Sequence, residues 1–255
     1  MAVALAELEC LARADSPKQP GQSLPQPQPD TPHVEMWAGG QAFAAVWSAY
    51  SGASWAPFGS VREDGLRLRA VLGAGAYDGG RLAFADVLIG YHRQLGPVTL
   101  KLFGGLTVAD YFPTEPTSML EGTALGPKAL VETWWTITDR TWASLDLAFA
   151  LPHLHLAHME MADVVDPYRI EYTGRLRLGW RLWPELSVGF EGGAGGPMAP
   201  SLPTTWQTGM AHAGGFLRYE WTTGEVSISG GVSLGGDERE GQAQPFGAVS
   251  VLTRF

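Results

Sequence analysis

Three histidines, His153, His155 and His158, stand close together, with Glu160, Asp163 and Asp166 just behind them. On a strand His153 and His155 would share a face, a spacing that suits zinc ligation. A hydrolase would instead need a nucleophile, a base within hydrogen-bond reach and a group to orient the base. No His-Glu-x-x-His motif is present, and no Gly-x-Ser-x-Gly elbow is expected to pair with these histidines. The preferred reading is a polar rim or loop, with no catalytic residue, no metal and no cofactor assigned. His153, His155 and His158 stand as the only metal candidates.

A second set of charged residues has a more regular spacing. Arg67, Arg69, Lys101, Lys128, Arg175, Arg177, Arg181 and Arg218 alternate with apolar neighbours, as do Glu132, Asp146, Glu171, Glu185, Glu191 and Glu220. Alternation with period two places such residues on one face of a strand. If that face is enclosed, opposite charges must pair, because a buried lone charge is costly. The chemistry expected of this set is an ion-pair network inside a closed sheet, with a narrow channel gated by arginines as the alternative.

The elements that position them are read from the same alternation. From Tyr168 to Leu182 one face carries Tyr168, Ile170, Tyr172, Gly174, Leu176, Leu178, Trp180 and Leu182. The other carries Arg169, Glu171, Thr173, Arg175, Arg177, Gly179 and Arg181. That run is long for a soluble strand but suits a tilted strand crossing a bilayer. Aromatic residues at its two ends fit interfacial girdles. Shorter runs repeat the pattern around Leu66–Leu72, Val98–Leu102, Ala143–Leu151, Leu186–Phe190, Ala211–Trp221 and Val226–Leu234.

Composition agrees. The 255 residues include 33 Gly, 10 Trp and 7 Tyr, with only 17% charged. Such a glycine content disfavours long helices, and no apolar run is long enough for a transmembrane helix. A net charge of −9 argues against a nucleic-acid partner. The single cysteine, Cys10, cannot form an internal disulfide.

Residues 1–33 read as a degraded signal-like segment followed by a Pro/Gln-rich linker. Residues 34–255 read as one all-β domain, a single antiparallel up-and-down transmembrane β-barrel of about 12 strands, with 10 as the alternative. Direct counting finds about eleven strands, an odd number that a bacterial barrel does not favour. The missing or extra strand is expected between Val34 and Asp110. Long loops are expected near Ser51–Asp64, Phe112–Glu121, His153–Pro167, Gly195–Thr204 and Gly236–Gln244, outside the cell. The last strand ends at Phe255, a terminal residue read as an assembly signal. Tyr77, Tyr91 and Trp134 are candidates to face inward.

Several short strings in order carry a resemblance. They are Trp37-Ala38-Gly39-Gly40, Tyr50-Ser51-Gly52-Ala53, Ala56-Pro57-Phe58-Gly59 and Asp64-Gly65-Leu66-Arg67-Leu68-Arg69. Gly73-Ala74-Gly75-Ala76-Tyr77, Leu88-Ile89-Gly90-Tyr91 and Gly126-Pro127-Lys128 follow, the last with Glu132 and Trp134. Arg175-Leu176-Arg177-Leu178-Gly179, Val188-Gly189-Phe190-Glu191 and Ser229-Gly230-Gly231 complete the run. Their order resembles the cellulose biosynthesis protein BcsS family of alphaproteobacteria. The resemblance implies a non-enzymatic barrel in the outer membrane of a Gram-negative bacterium, accessory to cellulose biosynthesis or secretion. Its expected partners are outer-membrane lipid, the barrel assembly machinery, and components of a cellulose synthase complex or cellulose itself. A small-solute channel is the alternative function, and a lipid or polysaccharide hydrolase the third.

Overall fold

The computed structural model describes residues 31–43, 46–77, 80–114, 122–151, 154–155, 170–198, 210–234 and 243–255. Every regular element among them is a strand. In order these are β1 (Val34–Phe43), β2 (Val46–Trp55), β3 (Gly65–Tyr77), β4 (Gly80–Leu95), β5 (Val98–Pro113), β6 (Gly122–Thr136) and β7 (Thr141–Ala150). After them come β8 (Leu154–His155), β9 (Ile170–Arg181), β10 (Leu186–Met198), β11 (Met210–Trp221), β12 (Gly224–Leu234) and β13 (Gln244–Arg254).

Each long strand pairs antiparallel with the next, and β13 returns to pair with β1, with Trp37 opposite Leu252. The sheet therefore closes into an up-and-down barrel of 12 long strands. The two-residue β8 is an appendage. It pairs with Ala124 and Leu125 on β6, above the point where β7 leaves. Pro127 explains the departure. It accepts from Leu151 N at 3.0 Å but has no N–H to return the bond, so the β6–β7 ladder stops there.

Closure removes the sheet edges, and alternation then separates two environments. Outward-facing side chains are overwhelmingly apolar: Leu72, Val87, Ile89, Leu106, Leu176, Phe190, Ile228 and Val249 are all exposed. Trp55, Tyr91, Trp135, Trp180, Tyr219 and Trp221 ring one end of this band, and Trp47, Phe112 and Phe149 mark the other. An apolar wall between aromatic girdles is the surface a bilayer requires.

The end where β1 begins and β13 finishes, the terminal end, carries four short connections: Gly96–Pro97, Ile137–Arg140, Leu182–Glu185 and Thr222–Thr223. It also carries one longer connection, Ala56–Asp64. This corrects the expected loop at Ser51–Asp64. Ser51–Trp55 belong to β2, and the connection that follows lies with the short turns, opposite the end where 114–121, 199–209 and 235–243 join their strands. The odd strand count has the same origin, since β1 and β2 form a hairpin joined through 44–45.

Candidate functional site

Inward-facing positions recur every second residue: 67, 69, 71 and 73 on β3; 142, 144, 146 and 148 on β7; 171, 173, 175, 177 and 179 on β9. Seven basic and seven acidic side chains are buried in the described structure, so the interior is charge-balanced although the chain is not. The acidic seven are Glu35, Asp86, Glu132, Asp146, Glu171, Glu191 and Glu225. The pairs span the lumen as well as neighbouring strands. Arg69 on β3 meets Glu132 on β6 at 2.5 Å, and Lys128 on β6 reaches back to Asp86 on β4 at 2.8 Å. Glu35 on β1 takes Arg254 at 3.0 Å and Lys101, from across the lumen, at 3.7 Å. Glu191 takes Arg175 at 2.5 Å and Arg177 at 3.0 Å, and Ser229 donates to the same oxygen. Arg218 pairs with Glu220 at 2.9 Å and with Glu225. Asp146 lies between charges in register, opposite Glu132 on one side and Arg175 on the other.

Aromatic rings fill the remaining space. Trp134 and Trp142 stack with centroids 4.1 Å apart, and the Arg218 guanidinium lies over both. Arg69 sits 4.0 Å from the Phe103 ring and 4.9 Å from Trp37, so the same cation is held by a carboxylate and two π faces. Toward the loop end the filling turns apolar, with Tyr50, Leu82, Phe84 and Tyr111 in one cluster and Phe43, Met210 and Phe246 in another.

Glycine makes this density possible. On the lumen face Gly52 lies opposite Trp37, Gly73 opposite Phe84, Gly90 opposite Phe103 and Gly179 opposite Trp142. A Cβ at any of them would fall within 2.5 Å of the facing ring. Each ring lies flat over its glycine, in space that a side chain would otherwise fill.

The structure places most of the charges named from sequence on this face: Arg67, Arg69, Lys101, Lys128, Glu132, Asp146, Glu171, Arg175, Arg177, Glu191 and Arg218 are buried. Arg181 and Glu220 are half-buried, at the mouth. Glu185 is a correction. It is exposed in the Leu182–Glu185 turn, because β10 begins only at Leu186, one residue after the alternation starts. Tyr91 is another correction, facing outward, while Trp134 faces in. The side-chain burial of Tyr77 lies outside the described residues. The lumen set named from sequence left out Glu35, Asp86, His92, His212 and Glu225, all buried; alternation already puts His212 and Glu225 on the polar faces of their strands, and strand parity could have found the other three.

His153 and His158 lie outside the described residues, as do Glu160, Asp163 and Asp166. His155 belongs to β8. Among the described residues, no group of three or more His, Cys, Asp or Glu side chains could hold a metal ion. The sequence reading also overlooked a Gly-x-Ser-x-Gly string at Gly231–Gly235. Its Ser233 lies within β12, where it donates to Gln244 O at 3.3 Å. His212 is its cross-strand neighbour, but that ring packs against Phe43 and Phe246 and forms no hydrogen bond with Ser233. A regular strand lacks the sharp strand-to-helix turn of a nucleophile elbow.

The family model for cellulose biosynthesis protein BcsS matches residues 35–151, from β1 to just past β7. The chain thus resembles that family over the span where most of the motif strings lie. Within that span Trp37, Gly52, Arg67, Arg69, Gly90, Lys128, Glu132 and Trp134 face the lumen, while Leu68, Ile89 and Tyr91 face outward. Among solved structures, the KdgM porin is 10% identical and superposes with a TM-score of 0.50, covering 87% of this chain and 99% of its own. A TodX deltaS2S3 mutant monoaromatic hydrocarbon channel is 11% identical with a TM-score of 0.48, covering 89% and 91%. At 10% identity the porin shows a shared barrel fold and nothing finer. No curated protein matches in sequence. Family and fold thus resemble outer-membrane barrels and channels rather than enzymes.

Proposed function

We propose that this chain is an outer-membrane barrel that supports cellulose production or secretion without catalysing a reaction, acting through contacts at its ends rather than as a conduit. The observation that carries this reading is the filled lumen. Ion pairs cross it, aromatic rings pack between them, and the crossing pairs Arg69–Glu132 and Lys101–Glu35 lie within the span that matches the cellulose biosynthesis family. A channel needs a hydrated path or a lining whose charges face a passing ion. Here the charges are spent on one another.

The terminal end, with its short turns, would then face the periplasm, as is usual for such barrels. Phe255 would present itself there to the assembly machinery, and lipid would cover the apolar wall. The loops of the opposite end would meet the emerging polysaccharide, and the periplasmic face would meet synthase-complex components.

The test is deletion in the source bacterium, with cellulose measured by dye binding and by glucose release after cellulase digestion. Loss of cellulose, restored by the wild-type chain, is the expected result. Unchanged cellulose after clean deletion would overturn the reading.

A further inference from the structure

We propose that the Ala56–Asp64 connection is a strap that seals the terminal mouth of the lumen, locked from inside by Arg67 and His92. The other connections at this end have two to four residues, while this one has nine. A hairpin needs no such length to turn. The extra chain is folded inward: Ala56, Ser60 and Val61 are buried.

Besides bonds among Ser60, Arg62 and Glu63 within it, its bonds go to the barrel interior and rim. Arg67, buried on the lumen face of β3, donates to Ser60 O at 2.9 Å and to Glu63 O. His92, buried on β4, places Nδ1 3.2 Å from Val61 O and 3.1 Å from the Arg67 guanidinium. Asp64 holds the β4 rim, accepting from Gln94 N at 2.6 Å and pairing with Arg93 at 3.1 Å. On the far side Arg62 donates to Thr222 O, in the β11–β12 turn, at 2.8 Å. The incoming chain closes over the strap, with Val61 N donating to Pro32 O at 2.8 Å and Ala56 N to His33 O at 2.8 Å.

These tethers run from β4 past β3, β2, β1 and β13 to the turn before β12, half the circumference of the barrel. A segment tied at both ends of that arc, and from within, covers the mouth. The wall strands cannot open without breaking their ladders, whereas the strap is held by side chains and a few main-chain bonds. It is therefore the part of this end that can move at low cost. With it docked, Arg67, His92 and the Glu35–Lys101–Arg254 group are shut off from bulk water. With it out, they form a polar basin open at the terminal end.

The experiment is thiol labelling of the full chain refolded in detergent. The background is Cys10→Ser, which leaves no other thiol. One reporter is Ser54→Cys, a near-isosteric change on the lumen face of β2 just above the strap. A control is Ser233→Cys near the opposite end. A small charged thiosulfonate reagent is applied to each, with the strap intact and with residues 57–63 replaced by Asn-Gly. Labelling of Ser54→Cys should accelerate at least tenfold without the strap, while Ser233→Cys keeps its rate. Equal rates for Ser54→Cys, fast or slow, would overturn the proposal. If the strapless chain fails the heat-modifiability test for folding, the double variant His33→Ala/Arg62→Ala cuts two side-chain tethers outside the wall, His33 Nδ1 to Gly59 O at 2.6 Å and Arg62 to Thr222 O. It should raise the rate severalfold, and an unchanged rate would again refute the seal. None of these outcomes depends on a role in cellulose production.

Discussion

Arg69 on β3 and Glu132 on β6 meet through two hydrogen bonds, 2.5 and 3.2 Å long, with 2% and 1% of their side chains exposed. Two strands, β4 and β5, separate their attachment points around the wall, so the pair is a chord through the lumen rather than a rung between neighbours. Removing one partner leaves the other charge buried, which typically costs about 3–5 kcal/mol, whereas removing both costs far less. Arg69→Met should therefore lower the urea midpoint of the folded, fast-migrating band sharply. Arg69→Met/Glu132→Gln should recover most of the loss. Equal destabilisation in the single and double variants would show that the pair does not hold the walls.

Trp142 lies over Gly179, whose Cβ position falls 2.2 Å from the ring. Overpacking of this kind costs about 1–3 kcal/mol, so Gly179→Val should destabilise the barrel and perturb the fluorescence of the Trp134–Trp142 stack. Gly104, on the outer face, meets nothing within 4 Å of its Cβ position. Gly104→Ala should be neutral or stabilising by roughly 0.4–1 kcal/mol through the unfolded chain. The contrast between two strand glycines, read in one unfolding assay, checks which face each occupies.

Much of this arrangement is visible in one dimension, and the exceptions have physical causes. β9 shows its two faces plainly because its outer residues are large and its inner ones charged. In β1 and β2 the contrast inverts. The outward positions Ala38, Gly40, Ala49 and Ala53 are small, while the inward ones include Trp37 and Tyr50, which fill the lumen. A hydrophobic pattern cannot distinguish a wall facing lipid from a ring facing an enclosed interior, so these strands blurred and the count came out odd. Asp86 sits at an inward position that parity alone identifies. The pairing of Lys101 with Glu35 depends on barrel diameter and on register round the whole sheet, which no local pattern contains.

Val87 lies at the middle of β4 and is among the most exposed apolar residues of the wall. A bilayer should penalise charge there by about 2–4 kcal/mol and at the rim by only about 0–1. Val87→Arg should weaken folding into lipid vesicles strongly, and Leu182→Arg, in the terminal-end turn, only slightly. Similar losses for both would argue against an apolar band at that height.

Phe255 is exposed, yet its main chain is tied to β1: its carbonyl accepts from His33 N at 2.6 Å and from Val34 N at 3.0 Å. Phe255→Ser keeps those bonds and removes only the ring. Refolding of the purified variant should be unchanged, while the amount assembled in outer membranes of living cells should fall severalfold. A parallel loss in both would make the ring a stability element rather than a recognition one.

The claim on which the account turns is that the barrel interior is closed. Planar-bilayer recording of the refolded chain, with insertion verified by the band shift of protein recovered from the same vesicles, tests it directly. The account predicts no conductance steps above the lipid background at moderate voltage in molar salt. Steady, reproducible steps that disappear with a bulky reagent bound to Ser54→Cys would place an open path through the lumen and contradict it.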